Sequence, residues 1–323
     1  MRVAQVQGFG GPEMLVHVEV ADPVAGPGEV VVAVDHIDTL FVQTQIRAGG
    51  FSEFFGVEPP YVPAGGVSGT VTAIGPGVDE ALAGRRVAVS GIDNTYAELV
   101  TAPAAQLCPV PDGVGLREAA SLVHDAVTAL ALLENTALKP GETVLITGAS
   151  GGMGTLLVQL AHGLGARVVG VARGPEKTAL VRELGADLVI DAGDPEWGLR
   201  ARAALGEGGA DLILDGVGGQ LGRDAFALTA DGGRFSAHGA PSGTGFAAVD
   251  PDEARRRDIT LLGIGDVQVT DERRTAFLAR ALHEVAAGRL RPVIGEVFPL
   301  ARAADAHRAI EGRGLVGKVL LTP

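Results

Sequence analysis

Cysteine, lysine and aromatic side chains are all scarce in this 323-residue chain. The single cysteine, Cys108, cannot close an internal disulfide and excludes any zinc site built from several thiolates. An intracellular, reducing setting is what that implies, and a cytoplasmic location is expected. Aromatics supply 4 % of residues while 46 % are hydrophobic, so the core must be packed by Ala, Val and Leu. The lysines are Lys139, Lys177 and Lys318, and arginine fills the other cationic positions. Lysine and arginine together number 26 against 39 acidic residues, a formal net charge of −13. Such a surface repels a phosphate lattice, which argues against nucleic acid or an anionic membrane as the main partner. Arg255, Arg256 and Arg257 read as a solvated helix end. Long apolar runs are missing too: the most apolar stretches are broken by Gln159, His162 and Arg167, and MRVAQVQGFGGPEM has no apolar core of signal-peptide length. No membrane span and no export signal are therefore expected.

Glycine is abundant, 48 residues, so chance glycine motifs are cheap. One of them has the right surroundings. VLITGASGGMG (Val144 to Gly154) passes from a β-branched strand into a glycine-dense turn and then into the helical pattern LLVQLAHGLG. A second strand, ARVVGVA, follows, and then DLVID to Asp191. Strand, turn, helix and strand in that order are the dinucleotide-binding unit, with helix-start N–H groups facing the pyrophosphate. Read against the usual fingerprint, Ala149 stands at the first glycine position, with Gly151 and Gly154 at the next two; Ser150, Gly152 and Met153 complete the phosphate loop. At the end of the second strand, where an NAD enzyme carries Asp or Glu for the ribose, this sequence has Arg173 and Lys177. Two cations and no carboxylate suit a 2′-phosphate, so NADPH is the expected cofactor. The plainer reading of both is a pair of solvated charges.

The period of the hydrophobic pattern divides the chain. Up to about residue 118 short β-type runs alternate with Gly and Pro: EVVVAVD, GTVTAIG, RRVAVSG and YAELVTA. Residues 1–118 read as a mainly-β, barrel-like domain. Residues 119–266 alternate strand and helix, with strands at DLILDGVG, GRFSAHG and ITLLGIG beyond those above. Six strands with intervening helices make a doubly wound parallel sheet, so the fold class is α/β. Residues 267–323 hold an amphipathic helix, a strand, a helix and a closing strand, expected to return to the first domain.

The order of several segments carries a family resemblance. GFGGPEML, PGPGEVVV, IDT (Ile37 to Thr39), AGRRVAV, YAELV, PDGVGLREAASL, the nucleotide loop, DGVGG, FPLARAADAHRAIEGR and GKVLL span nearly the whole chain. The chain resembles the zinc-free medium-chain dehydrogenase/reductases of the quinone oxidoreductase type, near zeta-crystallin. The resemblance implies a GroES-like catalytic domain, a Rossmann domain and a homodimer. The zinc branch of that family places His and Glu where this sequence has Gly65 and Gly66, and the four cysteines of its structural zinc lobe are absent. His36 and Asp38 keep a zinc-like spacing but lack partners, so no metal is expected. Hydride transfer to an already electrophilic acceptor, a quinone or an enone, is then favoured over alcohol oxidation. A protein that retains the NADPH site for sensing is a third reading.

The same resemblance nominates side chains. VDHIDT matches a family segment whose asparagine lies near the nicotinamide; here Asp35 replaces it and His36 replaces an aromatic. Asp35 is a candidate proton donor, raised in pKa by an apolar cleft, or else a strand-end carboxylate bonded to backbone. A family tyrosine is replaced by Phe51, and Phe51, Phe54, Phe55, Tyr61 and His36 are candidate pocket walls, or ordinary loop packing. His124 and Asp125 are a candidate proton relay or a helix start. Thr128, Val217, His238, Gly239, Ala240 and Lys318 fall where the family contacts its cofactor.

Overall fold

The structure, a computed structural model, describes residues 1–267 and 269–323. The chain forms two compact units: Met1–Val127 with Thr270–Pro323, and Thr128–Val269.

The first unit begins with β1 (Arg2–Val6), β2 (Leu15–Glu19) and β3 (Glu29–Asp38), then α1 (Phe41–Arg47) and α2 (Ser52–Phe55). It continues through β4 (Gly65–Ile74), β5 (Arg86–Ile92), β6 (Leu99–Pro103), β7 (Cys108–Pro109) and α3 (Leu116–Leu122). Helix α4 (Asp125–Asn135) carries the chain into the second unit. There β8 (Thr143–Thr147), α5 (Gly152–Gly163), β9 (Arg167–Ala172), α6 (Pro175–Glu183), β10 (Leu188–Asp191) and α7 (Trp197–Leu205) follow one another. Next come β11 (Ala210–Asp215), α8 (Gly219–Phe226), β12 (Thr229–Ala237), α9 (Pro251–Arg256) and β13 (Thr260–Gly263). The chain closes in the first unit with α10 (Asp271–Ala286), β14 (Ile294–Pro299), α11 (Ala303–Gly312) and β15 (Lys318–Thr322).

In the second unit β10, β9, β8, β11, β12 and β13 lie side by side in that order, all parallel. This is the expected doubly wound sheet. Its central strands are apolar on both faces because helices cover both sides: Val144, Leu145, Ile146, Leu212, Ile213 and Leu214 are all fully buried. The chain leaves β8 in one direction toward β9 and β10, and returns on its other side at β11. The crevice outside the carboxyl ends of β8 and β11 is therefore the switch point where such sheets bind ligands.

The first unit is a mainly-β body with a seven-stranded sheet in the order β14, β15, β3, β4, β5, β7, and β6 also on β3. The region read as mainly β also contains the short helices α1 and α2, inserted between β3 and β4. Its core draws on Val30, Val32, Ile37, Val67, Val87, Val89 and Tyr96, joined by Leu300, Ala306 and Leu321 from the chain's end. Strand β15 pairs with the end of β3, Leu320 opposite Asp38 and Leu321 opposite Ile37. That pairing brings the two ends of the sequence to one place.

Candidate functional site

Strand β8 ends at Thr147, and Gly148 follows with φ 64°, a left-handed turn that a side chain would strain. This is the turn's obligatory glycine, one residue before the position the sequence reading aligned to the first fingerprint glycine. Ala149 occupies that position and is fully buried. Its methyl packs toward Gly170 of the neighbouring strand, where a Cβ would lie 3.5 Å from Ala149 Cβ, an ordinary contact, but 2.4 Å from Val181 Cγ1. Ser150 is buried, Gly152 and Met153 are half-buried, and Gly151 caps α5 without any side-chain hydrogen bond. The first N–H groups of α5 are thus not consumed by a capping oxygen and remain for an anion. Gly154 is sterically required, since a Cβ there would sit 2.2 Å from Gly148 O. At Gly151 the same atom would be 3.4 Å away and nothing else within 4 Å, so the fold itself leaves room beside Gly151.

Asp215, at the end of β11, holds the neighbouring loop. Its fully buried carboxylate accepts hydrogen bonds from Thr147 Oγ1 at 2.7 Å, Val217 N at 3.1 Å and Gly218 N at 3.2 Å. The Asp215 carbonyl accepts from His238 N at 2.9 Å and Gly239 N at 3.2 Å. Val217 lies against the turn, 3.2 Å from where a Gly148 Cβ would be, and a Gly239 Cβ would collide with Gly216 O at 2.4 Å. The structure therefore brings Gly148, Val217, His238 and Gly239 together, with Ala240 buried just beyond. His238 is buried, burial lowers its pKa to about 4, and its Nδ1 has no hydrogen-bond partner. It is a neutral imidazole facing no donor or acceptor of the protein at Nδ1. Thr128, half-buried in the first turns of α4, is the expected cofactor residue for which no contact with this group is seen.

Arg173 is exposed at the end of β9, and Lys177 is half-buried in the first turn of α6. Burial, and then the Arg173 charge, hold the Lys177 pKa below its usual value, so the two cations share one locality. The sequence reading missed what fixes their loop. Asp191 Oδ1 accepts from Gly174 N at 2.8 Å and Gly193 N at 2.7 Å, bonds that lower its pKa. A carboxylate ending the strand after the ribose strand was the available signal.

In the first unit, Asp35 and His36 are paired, Oδ1 to Nδ1 at 2.5 Å, with the Asp35 side chain 48 % exposed. The apolar surroundings expected for Asp35 are not what β3 gives it. Three residues on, Asp38 is fully buried and meets Lys318 Nζ at 2.5 Å; the same ammonium lies 3.1 Å from Asp125 Oδ1. Lys318 was expected at the cofactor, but at 5 % exposure it is taken up by two carboxylates. The pairing of β15 with β3 puts it there, reinforced by Thr39 Oγ1 donating to Val319 O at 2.5 Å. Asp125 opens α4, where a carboxylate suits the helix dipole. Beside it His124 is half-buried, and burial, opposed by Asp125, lowers its pKa to about 4. Burial lifts the Tyr61 phenol to about 12, and Tyr61 is tied to β1 by Val6 N donating to its carbonyl at 2.8 Å. Phe51 adopts φ 61°, and Phe54 and Phe55 stand edge to face, centroids 5.0 Å apart, with Phe54 81 % exposed.

Residues 26–112 match the alcohol dehydrogenase GroES-like domain, and residues 184–321 match the family described as zinc-binding dehydrogenase. Human quinone oxidoreductase is 30 % identical over 327 aligned residues, covering 99 % of this chain and 97 % of the human protein. The chain belongs to the quinone oxidoreductase family of medium-chain dehydrogenase/reductases. A Burkholderia 2-haloacrylate reductase is 30 % identical, with 97 % of this chain and 96 % of that protein covered. Among solved structures, a mycobacterial protein complexed with NADPH is 33 % identical and superposes over all of both chains with a TM-score of 0.91.

The residues present do not fit the zinc named in one of those family descriptions. Among the described residues no group of three or more His, Cys, Asp or Glu is placed to hold a metal ion. A Cβ on Gly66 would meet Val123 Cγ2 at 2.6 Å and Val89 O at 2.7 Å, so this position of β4 cannot carry a ligand side chain. The space beside Gly65 is taken by Gln43 Nε2, 3.2 Å from where its Cβ would be. Among the described residues no helix is long and apolar enough to cross a membrane.

Proposed function

We propose that this protein is an NADPH-dependent oxidoreductase that delivers hydride to a quinone without a metal. The observation that carries the reading is the second unit's phosphate loop, where Gly148, Gly151 and Gly154 clear the backbone for a pyrophosphate, and Arg173 and Lys177 come just after the next strand. When bound, NADPH supplies the hydride from C4 of its nicotinamide. The N–H groups opening α5 would hold the pyrophosphate, Arg173 and Lys177 the 2′-phosphate, with Asp191 keeping their loop in place. Val217, His238, Gly239, Ala240 and Thr128 are assigned to the nicotinamide half, with His238 Nδ1 free to accept or donate. Family membership and the NADPH complex of the mycobacterial relative support the cofactor and the acceptor class.

In the first unit the exposed Phe51, Phe54 and Phe55, with Tyr61 and His36, are assigned to an aromatic acceptor, and His124 and Asp125 to its protonation. The Burkholderia relative, which reduces a haloacrylate, supports a second reading, reduction of an activated carbon–carbon double bond. We further propose a cytoplasmic homodimer. Strand β13, with exposed Thr260 and Leu261, ends the second unit's sheet and offers an edge for a second copy. The test is NADPH oxidation by purified protein with matched quinones and enones, products identified. Turnover with quinones alone establishes the quinone reading, and a saturated carbonyl product replaces it with the second. Tight NADPH binding with no turnover would leave a sensing protein.

A further inference from the structure

Two carboxylates and one ammonium are buried together in the first unit, which leaves a surplus negative charge away from water. Asp38 is fully buried and Lys318 5 % exposed. Asp38 Oδ1 has the ion pair with Lys318, whereas Oδ2 has no hydrogen-bond partner. An isolated buried charge costs several kcal/mol, far more than binding a proton that removes it. Besides Lys318, only the Thr39 N–H favours the Asp38 carboxylate, and it is the smallest of the influences on it. Tyr96, which faces Asp38, donates its hydroxyl to Gln43 Oε1 at 2.7 Å and lies 3.0 Å from His307 Nε2. The remaining groups facing Asp38 are Lys318 from β15, Asp125 from α4 and the Thr39 N–H.

We propose that Asp38, Lys318 and Asp125 form a buried proton store that supplies the proton taken up by the reduced acceptor. The inference rests on the quinone reductase reading above. Hydride adds two electrons and one hydrogen to the quinone and leaves a hydroquinone monoanion. That anion gains an O–H bond as the store gives up a proton: Lys318 passes one ammonium proton to Asp125, Asp125 passes it on through His124 to the anion and is left ionised again, and the Asp38 carboxyl proton refills Lys318. Water then returns a proton to Asp38, so that quinone, NADPH and one proton become hydroquinone and NADP⁺. The distances of 2.5 and 3.1 Å make Asp38, Lys318 and Asp125 a continuous path, and Asp125 leads to the half-buried His124 next in the chain. Asp38 acts through its neighbours and is a positioning residue, not one that touches the acceptor. Burial raises its pKa to about 7 even against the Lys318 charge, which places the store's proton in the working range.

The carboxyl carbons of cofactor-free protein, labelled with ¹³C at aspartate, report the store without any acceptor. One aspartate is expected to titrate near neutrality and to vanish in Asp38→Asn. With a quinone and NADPH, wild-type kcat should fall as pH rises above 7, with a solvent isotope effect. Asp38→Asn should lower kcat on the order of 100-fold and abolish that pH limb. A variant that merely lost structure would keep the limb's position; Asp125→Asn, which retains Asp38 but removes a neighbouring negative charge, should lower kcat and shift the Asp38 titration downward without abolishing it. Ionisation of every aspartate well below neutrality overturns the proposal, as does an unchanged pH limb in Asp38→Asn. Absence of quinone reduction by wild type, with the neutral titration present, overturns the function and delivery to a quinone, not the existence of the store.

Discussion

The second unit builds its candidate site mostly from backbone, and the first builds its own mostly from side chains. Around Gly148 the shape is set by what is missing, the Cβ atoms of Gly148, Gly154 and Gly239, and by N–H groups held through Asp215 and Asp191. Around Asp38 the shape is set by an ion-paired cluster whose members arrive from β3, α4 and β15, with a hydrogen bond from Thr39 to Val319 spanning 280 residues. A backbone site tolerates changes in its exposed side chains but no added volume at its crossings. A side-chain site is indifferent to local backbone motif but fails when one charge is removed.

The sharpest way to break this contrast is a side chain added at each kind of glycine. Gly154→Val would drive side-chain atoms into Gly148 O and the Ala149 backbone, none of which is a flexible end. A loss of roughly 3 kcal/mol or more in the stability of the second unit is expected, with NADPH binding lost in the surviving fold. Gly151→Ala should leave the melting temperature nearly unchanged and still weaken NADPH, because its Cβ meets the protein only at 3.4 Å and otherwise points into the ligand's space. Equal destabilisation by the two changes, measured by denaturant unfolding, would show that the loop's glycines serve folding alone.

Acid separates the two units next. His238 in the second and His307 in the first are buried and neutral, their pKa values lowered to about 4 and about 3 by burial. An unfolded histidine titrates near 6.5, so between that pH and the folded value the unfolded chain binds more protons. Stability is therefore lost as pH falls through this window, by up to about 1.4 kcal/mol per pH unit for each histidine. Asp38 works in the opposite sense: with its folded pKa raised to about 7, the folded state holds the extra proton between roughly pH 4 and 7 and gains stability as pH falls. Acid unfolding monitored separately in each unit should show His238→Gln flattening the second unit's profile, and His307→Gln leaving the first unit with the Asp38 contribution alone, so that its stability rises as pH falls from 7. A second-unit profile that stays flat from pH 6.5 to 5, or a first-unit profile that His307→Gln leaves unchanged, would contradict the burial of these groups.

Cofactor choice probes the exposed side chains of the backbone-built site. Replacing Arg173 and Lys177 together with alanine should weaken NADPH by about 1–3 kcal/mol and leave NADH nearly unchanged, as read by fluorescence titration of each cofactor. Equal loss for both cofactors would assign the two cations to general attraction of phosphate.

The contrast also explains what could be read in the chain before its structure. The doubly wound sheet and its phosphate loop are local: strand, turn and helix occupy consecutive residues, and each glycine's demand is met within a few positions of it. Even there the reading set the first fingerprint glycine on Ala149, one residue past Gly148, because the φ of 64° that the turn requires at Gly148 is a backbone property that the letters do not print. Asp191 escaped notice because its partners, the N–H groups of Gly174 and Gly193, have no sequence signature. The surroundings of Asp38, Asp125 and Lys318 were invisible for a stronger reason. Each residue was quoted in the sequence, but a buried ion cluster is a property of three-dimensional packing, and no spacing of 38, 125 and 318 announces it. Lys318 was placed by motif at the cofactor, where its neighbours in sequence suggested it, and tertiary pairing of β15 with β3 gave it two carboxylates instead.

The smallest expected effect concerns Asp35, where a sequence motif and the structure pull apart. Its position in VDHIDT made it a candidate acid in an apolar cleft, yet its carboxylate is half-exposed and hydrogen-bonded to His36. Solvent screens such a pair, so Asp35→Asn should change stability by less than about 1 kcal/mol. If the proton comes from the buried cluster, the same substitution should leave kcat within about twofold and preserve the fall in rate above pH 7. Loss of that limb in Asp35→Asn, with Asp38 intact, would move the acid to the exposed end of β3. It would also make the first unit's site, like the second's, one that a contiguous motif describes.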